Sequence, residues 1–521
     1  MGQTTMVGRR SRGREPDTTS TTLPAPVGGL NDRDSVADMP ATDAVLMDNW
    51  WPEPGRVSVR KGSITHASGL PGDVETLFEY CPPSGAIELF AASGDGIYDV
   101  TAVGAVGAPV VSGKSSARWQ TMAATTAGGS FLYAFNGLDD PLLYNGTTWT
   151  PINGTSTPAI TGVPDTYTLI DGLVFKGRAY LVEKNSMNLW YLPPASIGGE
   201  AKAILMGQIF QRGGYIVTAK SWTIDSGAGQ DDHLVVISSN GEVAVFSGFD
   251  PETLGSWSLV GVFYLGRPIG QRCAIKYGGD LLIICEDGVF PLGAGLLSAS
   301  VDRRVALTDK IQNSIRRAAN TYKSTPGWEL TLAQDHSALV LNIPAQNGSY
   351  QYLQNTLTGA WTKFKGWNAK SWVYSELGLF FGDGGTVKRA WFANNDDGEA
   401  IRADCLQSFN HFGSMSRNKS FTMIRPYIAT GGNPSILYAL NGDYRGTQPS
   451  GALVTRPPSG MVWGTMVWGT MIWGGSLQQV QDWLTVGGIF KSAGLRLQVL
   501  NNQAEVEWVA TDFIYTRGGL L

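Results

Sequence analysis

Residues 131–149 read Phe-Leu-Tyr-Ala-Phe-Asn-Gly-Leu-Asp-Asp-Pro-Leu-Leu-Tyr-Asn-Gly-Thr-Thr-Trp. Two apolar runs are each closed by Asn-Gly, and a tryptophan follows the second turn. Asn-Gly supplies the positive-φ residues that a tight two-residue hairpin turn needs. The same grammar recurs on both sides. An apolar run at 87–92 precedes Ser93-Gly94-Asp95-Gly96, and 234–238 precedes Asn240-Gly241. Another at 281–285 precedes Glu286-Asp287-Gly288. Strands at intervals of about 8–12 residues predict a sandwich, barrel or propeller rather than a parallel α/β sheet. The layout Tyr144-Asn145-Gly146-Thr147-Thr148-Trp149 returns at Leu357-Thr358-Gly359-Ala360-Trp361. A tryptophan just past a turn can wedge between neighbouring sheets, which favours a propeller-like body. No strict repeat period gives a blade count.

Composition agrees with an assembling β protein. The 521 residues include 66 Gly and 17 Trp, and only 16% are charged, against roughly 25% in a typical soluble domain. So little charge predicts a surface partly covered by other subunits. The formal net charge of −5 offers no electrostatic footprint for gripping nucleic acid. It still permits a wall along which DNA slides. No apolar leader opens the chain and no run approaches the ~20 apolar residues of a membrane span. Folding in a bacterial-type cytosol is expected.

One segment breaks the β pattern. Residues 309–320 place Ile311, Ile315, Ala318 and Ala319 on one face of a helix. Asp309 and Gln312 fit a capping-box variant at its start. Lys310, Arg316 and Arg317 occupy the other face, either solvated or against a partner. Residues 396–420 read as loop and 421–440 as strand. A long loop over 441–475 carries Met461-Val-Trp-Gly-Thr, Met466-Val-Trp-Gly-Thr and Met471-Ile-Trp-Gly-Gly. Its Trp463, Trp468 and Trp473 are expected to form an aromatic ladder. Residues 494–500 and 506–515 alternate in period two and predict a terminal hairpin around Asn501-Asn502. Residues 1–26, with Arg9, Arg10, Arg12 and Arg14 and a threonine run, are too polar to build a core and predict a flexible arm.

No catalytic constellation emerges, and no enzyme, cofactor or metal site is expected. His66, His233, His336 and His411 are scattered. Cys81, Cys273, Cys285 and Cys405 form no CxxC pair and are expected as reduced, buried thiols, with Cys273 and Cys285 flanking a turn at 278–280. Gly113-Lys114-Ser115 resembles the end of a P-loop, but Ala108 stands where its first glycine belongs. Asp139-Asp140 and Asp231-Asp232 match a glycosidase pair in type, yet both sit where aspartate caps a turn or precedes a strand. Asn394-Asn395-Asp396-Asp397-Gly398 has the look of a calcium loop without the closing Glu. Asn145 and Asn153 fit the glycosylation sequon, which means nothing without a leader.

An ordered set of short motifs nevertheless points to a family. It opens with Leu23-Pro24-Ala25-Pro26-Val27-Gly28-Gly29-Leu30-Asn31, Met39-Pro40, Asp48-Asn49 and Val59-Arg60-Lys61-Gly62. It continues with Gly241-Glu242-Val243, Phe249-Asp250-Pro251, Gly266-Arg267-Pro268 and Gly278-Gly279-Asp280-Leu281. Asn355 to Trp361, Asp512-Phe513 and Gly518-Gly519 complete it. This set resembles the tail hub, or nozzle, proteins of short-tailed bacteriophages, also called packaged-DNA stabilisation proteins.

The resemblance implies a mainly β fold: a propeller-like body at 71–420 and a β-rich platform from the chain ends, 27–70 and 421–521. It implies a homohexameric ring in the virion tail, below the head-to-tail adaptor ring, that retains packaged DNA and conducts it at ejection. Tail fibres are a further candidate partner, and DNA passes without sequence-specific binding. Met39, Trp50 and Trp51, together with Arg9, Arg10, Arg12, Arg14, Trp463, Trp468 and Trp473, are the expected assembly contacts. The alternative is a carbohydrate-binding propeller or tail adhesin.

Overall fold

The computed structural model describes residues 18–518, apart from 226–229, 254, 297–302, 347 and 455–476. Apolar runs and glycine turns become short antiparallel sheets, and these close into a circle. Blade 1 spans residues 74–99, blade 2 120–151, blade 3 169–205, blade 4 216–264 and blade 5 274–291. Blade 6 spans 329–364, and blade 7 joins 372–390 to the strand Ser63–Ser68. The described residues therefore form a seven-bladed propeller. The first strand of each blade lies innermost, against those of its neighbours. Separate apolar clusters fill the wedges between blades. Trp149 packs edge-on to Phe90 of blade 1 at 5.3 Å, as its place after a turn predicts.

Blade 7 closes the circle. Its outer position is taken by Ser63–Ser68, paired antiparallel with Thr386–Ala390. Pairing an early strand with a late one removes the edges that an open ring of sheets would expose. The 27–70 boundary is thus corrected, because 63–68 belongs to the body.

The chain ends build a sandwich. One sheet contains Thr18–Pro24, Trp50–Glu53, Arg56–Val59, Lys419–Thr430, Leu484–Phe490 and Val506–Arg517. The facing sheet contains Asp43–Asp48, Ile401–Gln407, Ser435–Gly442 and Ala493–Asn501. Trp508, Phe513 and Tyr515 of the first share a core with Leu495, Leu497 and Val499 of the second.

Three expectations fail here. Residues 18–24 are not part of a flexible arm, because Thr18–Pro24 pairs in register with 510–516 and buries Leu23, while residues 1–17 of the expected arm lie outside the described residues. Threonine is polar but β-branched, so a run of it suits an edge strand once a partner exists. The expected loop at 396–420 contains Ile401–Gln407, which lies between two strands of the second sheet. Ile401, Ala403 and Cys405 face inward, so this stretch belongs to the sandwich rather than the body. The terminal hairpin does not form: Ala493–Asn501 and Val506–Arg517 enter opposite sheets. Both strands carry apolar faces, and packing these across the sandwich buries more than side-by-side pairing.

The predicted helix appears as Gln312–Tyr322, preceded by a 3-10 turn at Asp309–Ile311, with Ile311, Ile315, Ala318 and Ala319 buried. The capping box does not form. Asp32 caps the helix instead, accepting from the backbone N–H groups of Asn313 at 3.2 Å and Ser314 at 2.6 Å. Among the described residues no helix is long and apolar enough to cross a membrane.

Candidate functional site

Body and sandwich share one sheet. Gly29–Leu30 and Asp43–Asp48 lie parallel to Trp361–Phe364 of blade 6, so a ten-stranded sheet runs through the joint. Gly29 makes this possible. Its φ is +79°, and a Cβ there would fall 2.5 Å from the Trp361 carbonyl oxygen. Only glycine tolerates both the left-handed backbone and the approach.

A clasp locks the same joint. Arg60 follows the strand Arg56–Val59 and is buried. Its guanidinium bonds Asp396 through two donors at 3.1 and 2.6 Å, and reaches Asn49 Oδ1, Lys61 O and Lys365 O. It also lies over Trp367, 4.6 Å from the ring centroid. Asp396 accepts further bonds from Ser63 and the Trp367 indole. Asp397 holds Thr65 and pairs with Lys388. The loop 394–398, with the look of a calcium site, is thus satisfied by the chain's own cations. A 460 Å³ cleft at this joint has Asp48, Lys365, Asp404 and Arg402 on its walls. Asp48 pairs with Lys365 at 2.6 Å, and Asp404 with Arg496 at 2.7 Å.

The propeller axis is a second convergence point. Arg272 precedes the inner strand of blade 5. It bonds Glu329 of blade 6, Ser371 before blade 7, Thr76 of blade 1 and the Trp119 carbonyl before blade 2. One guanidinium therefore ties five blades. Burial pushes the Glu329 carboxyl up, against the opposing pull of Arg272. Thr218 and Lys220 of blade 4 both reach Asp171 of blade 3. These side chains converge on the axis, where a 170 Å³ cavity remains among Thr76, Trp119, Lys220, Arg272 and Glu329. Outside it lies a 540 Å³ recess bearing Asp73, Glu75, Arg118, Lys323 and Lys370. Arg118 pairs with Glu75, Lys370 lies 3.9 Å from Asp73, and Lys323 pairs with Glu286.

The expected assembly residues fare differently. Arg9, Arg10, Arg12, Arg14, Trp463, Trp468 and Trp473 lie outside the described residues. Met39, Trp50 and Trp51 are buried in this chain's own core and are corrected as surface contacts. Trp50 packs edge-on to Trp508, and Trp51 to Phe364 and Trp391. A large aromatic in a turn-rich stretch gains more from an intramolecular socket than from solvent.

Asp139 accepts from Ser115 and Asn136, whereas Asp140 accepts from Asn153 and Thr166. The two acids thus serve separate turns. Burial opposes ionisation of Asp139, but the Asn136 and Ser115 bonds outweigh it and hold the carboxyl below its usual range. Cys273, Cys285 and Cys405 are free and buried, while Cys81 is exposed, contrary to expectation. Among the described residues no group of three His, Cys, Asp or Glu is placed to hold a metal.

No protein-family model and no curated protein matches the chain. Solved structures overlap part of it. YCF48 from Cyanidioschyzon merolae covers 63% of this chain and 98% of its own, at 11% identity and TM-score 0.35. BBS1N, solved with ARL6DN and soaked with mercury, covers 64% and 98%, at 11% identity and TM-score 0.38. YCF48 bound to D1 peptide covers 63% and 96%, again at 11% identity with TM-score 0.35. At these values the likenesses carry no argument. The propeller rests on the strand pairing itself.

Nothing in the sequence marks Arg60, Asp396 and Arg272 as a joint or a hub. Arg60 stands in the Val-Arg-Lys-Gly motif at 59–62, the only local signal. Arg272 has none, because its five blades meet only in the closed circle.

Proposed function

We propose that this chain is a structural subunit of the tail nozzle of a short-tailed bacteriophage. Copies form a ring below the head-to-tail adaptor that retains packaged DNA and conducts it at ejection. The observation that carries this reading is architectural: a propeller body fused through one continuous sheet to a sandwich made by both chain ends. Those are the two parts that the motif resemblance implies. The Arg272 bonds that tie five blades across the propeller axis support placing the conduit between copies rather than within one. Charged residues at 16% and a net charge of −5 suit subunits that hide one another and a wall that does not grip phosphates.

The test is native mass spectrometry with electron microscopy of the purified chain, with and without the adaptor. A sixfold particle is expected. A monomer that persists at micromolar concentration overturns the proposal, and selective binding on a glycan array would favour the adhesin alternative.

A further inference from the structure

Most outer strands in this fold are guarded against pairing with another chain. Lys202–Leu205 starts on a lysine. Gly96–Asp99 ends on an aspartate and is bridged by Val111. Gly288–Pro291 and Trp149–Pro151 are short and end in proline. Trp50–Glu53 contains Pro52 and Glu53. Trp361–Phe364 is covered by Gly29–Leu30 and Ser63–Ser68 by Gly104–Ala105. Thr18–Pro24 is open and uncharged, but it is threonine-rich, turns Leu23 into its own core and ends in proline. Charge, proline, brevity and covering are the usual protections of a sheet edge.

Two longer strands lack them. The outer strand of blade 4, Trp257–Tyr264, reads WSLVGVFY, and no charged residue occurs from 253 to 266. Its Val260 is 55% exposed, and nearby Phe249 is 61% exposed. A bulge at Val260 blunts it, and the Arg212 guanidinium lies over the Tyr264 ring at its end, 3.8 Å from the centroid. The sandwich strand Leu484–Phe490 reads LTVGGIF and is uncharged between Asp482 and Lys491. Its Ile489 is 67% exposed. Among the described residues neither strand has a partner on its outer side. Apart from the Thr485 carbonyl, which accepts from the Tyr438 hydroxyl at 3.5 Å, both present backbone groups with no strand partner beside apolar side chains, and both are neutral, so neither repels the other.

We infer that neighbouring copies dock edge to edge, with Trp257–Tyr264 of one against Leu484–Phe490 of the next. This rests on the ring reading above. The two strands belong to different parts of the chain, so the contact is head-to-tail. Such a contact repeats, and closes into a ring when its rotation permits.

The experiment uses the full chain with Val260→Lys or Ile489→Lys, both at exposed positions, checked by circular dichroism melts. Each variant alone should lose the ring. Mixed in equal amounts, the two retain one intact junction and should stop at a dimer. If either variant alone still forms the wild-type particle, the edge pairing is wrong while the ring reading stands; a monomeric wild type overturns both. An Ile489→Lys variant that assembles while Val260→Lys does not would mean that blade 4 pairs with itself. Should a charged variant unfold, deuterium exchange of the wild-type chain decides: amides of 257–264 and 484–490 should both exchange more slowly in the ring than in the monomer obtained by dilution, and unchanged exchange in either strand overturns the inference.

Discussion

Replacing Asp396 by leucine strands the Arg60 guanidinium in the joint. Its side chain is 1% exposed, against 17% for Asp396. Removing one partner of a buried pair costs about 3–5 kcal/mol, because the survivor remains dehydrated without compensation. Arg60 keeps Asn49, Lys61 and Lys365 as acceptors, which places the loss near the low end, about 3 kcal/mol. The Trp367 indole also loses its acceptor, adding about 1 kcal/mol. Arg60→Met should do less harm, about 2 kcal/mol. The carboxylate it leaves is partly hydrated and keeps Ser63 and Trp367 as donors. The double variant should then be milder than the sum by about 2–3 kcal/mol. Urea unfolding, followed by tryptophan fluorescence and far-ultraviolet circular dichroism, measures all four corners of the cycle. A loss below about 1 kcal/mol for Asp396→Leu, or additive single variants, would refute the clasp.

Three further outcomes are expected. Gly29→Ala should destabilise by about 2–5 kcal/mol, combining left-handed strain with a Cβ driven into Trp361. Gly359→Ala, at φ +73° with open space around it, should lose only about 1–2 kcal/mol, and equal melting temperatures would contradict this. Asp32→Ala removes the cap of Gln312–Tyr322 and should cost about 1 kcal/mol, read as earlier deuterium uptake in 312–316; unchanged uptake would show the cap to be idle.

The third concerns acid. Burial opposes ionisation of Asp512, but bonds from Thr22, Tyr427 and Arg425 outweigh it and hold the carboxyl below its usual range. A depressed carboxyl stabilises the fold above its unfolded pKa and loses that contribution as pH falls through the folded value. The strand Thr18–Pro24 should therefore become protease-sensitive below about pH 4. Asp512→Asn should abolish that pH dependence, and an unchanged acid profile would exclude Asp512 as its source.

What the sequence discloses is local. The hairpins at 131–144 and 281–291 were readable because Asn-Gly or Asp-Gly separates apolar runs, and the helix because Ile311, Ile315 and Ala319 share a face. What it conceals is long-range. Blades with three strands and blades with four obey no fixed period, and blade 7 takes its outer strand from residue 63 onward. Thr18–Pro24 finds its partner nearly the whole chain away. Ile401–Gln407 hides its alternation behind Arg402 and Asp404, which face outward and make an inner strand read as loop. Trp50 and Trp51 show the same blindness: nothing within 27–62 tells a core tryptophan from a docking one.

The closing strand of blade 7 also sets a schedule. Ser63–Ser68 leaves the ribosome early, yet its partner Thr386–Ala390 is translated more than 300 residues later. At 5–20 residues per second the wait is about 15–60 s. The sandwich waits longer, since it needs strands from both ends of that interval. Nascent chains must therefore carry unmated strands through most of translation. The protein's yield should fall when translation slows between residues 100 and 380.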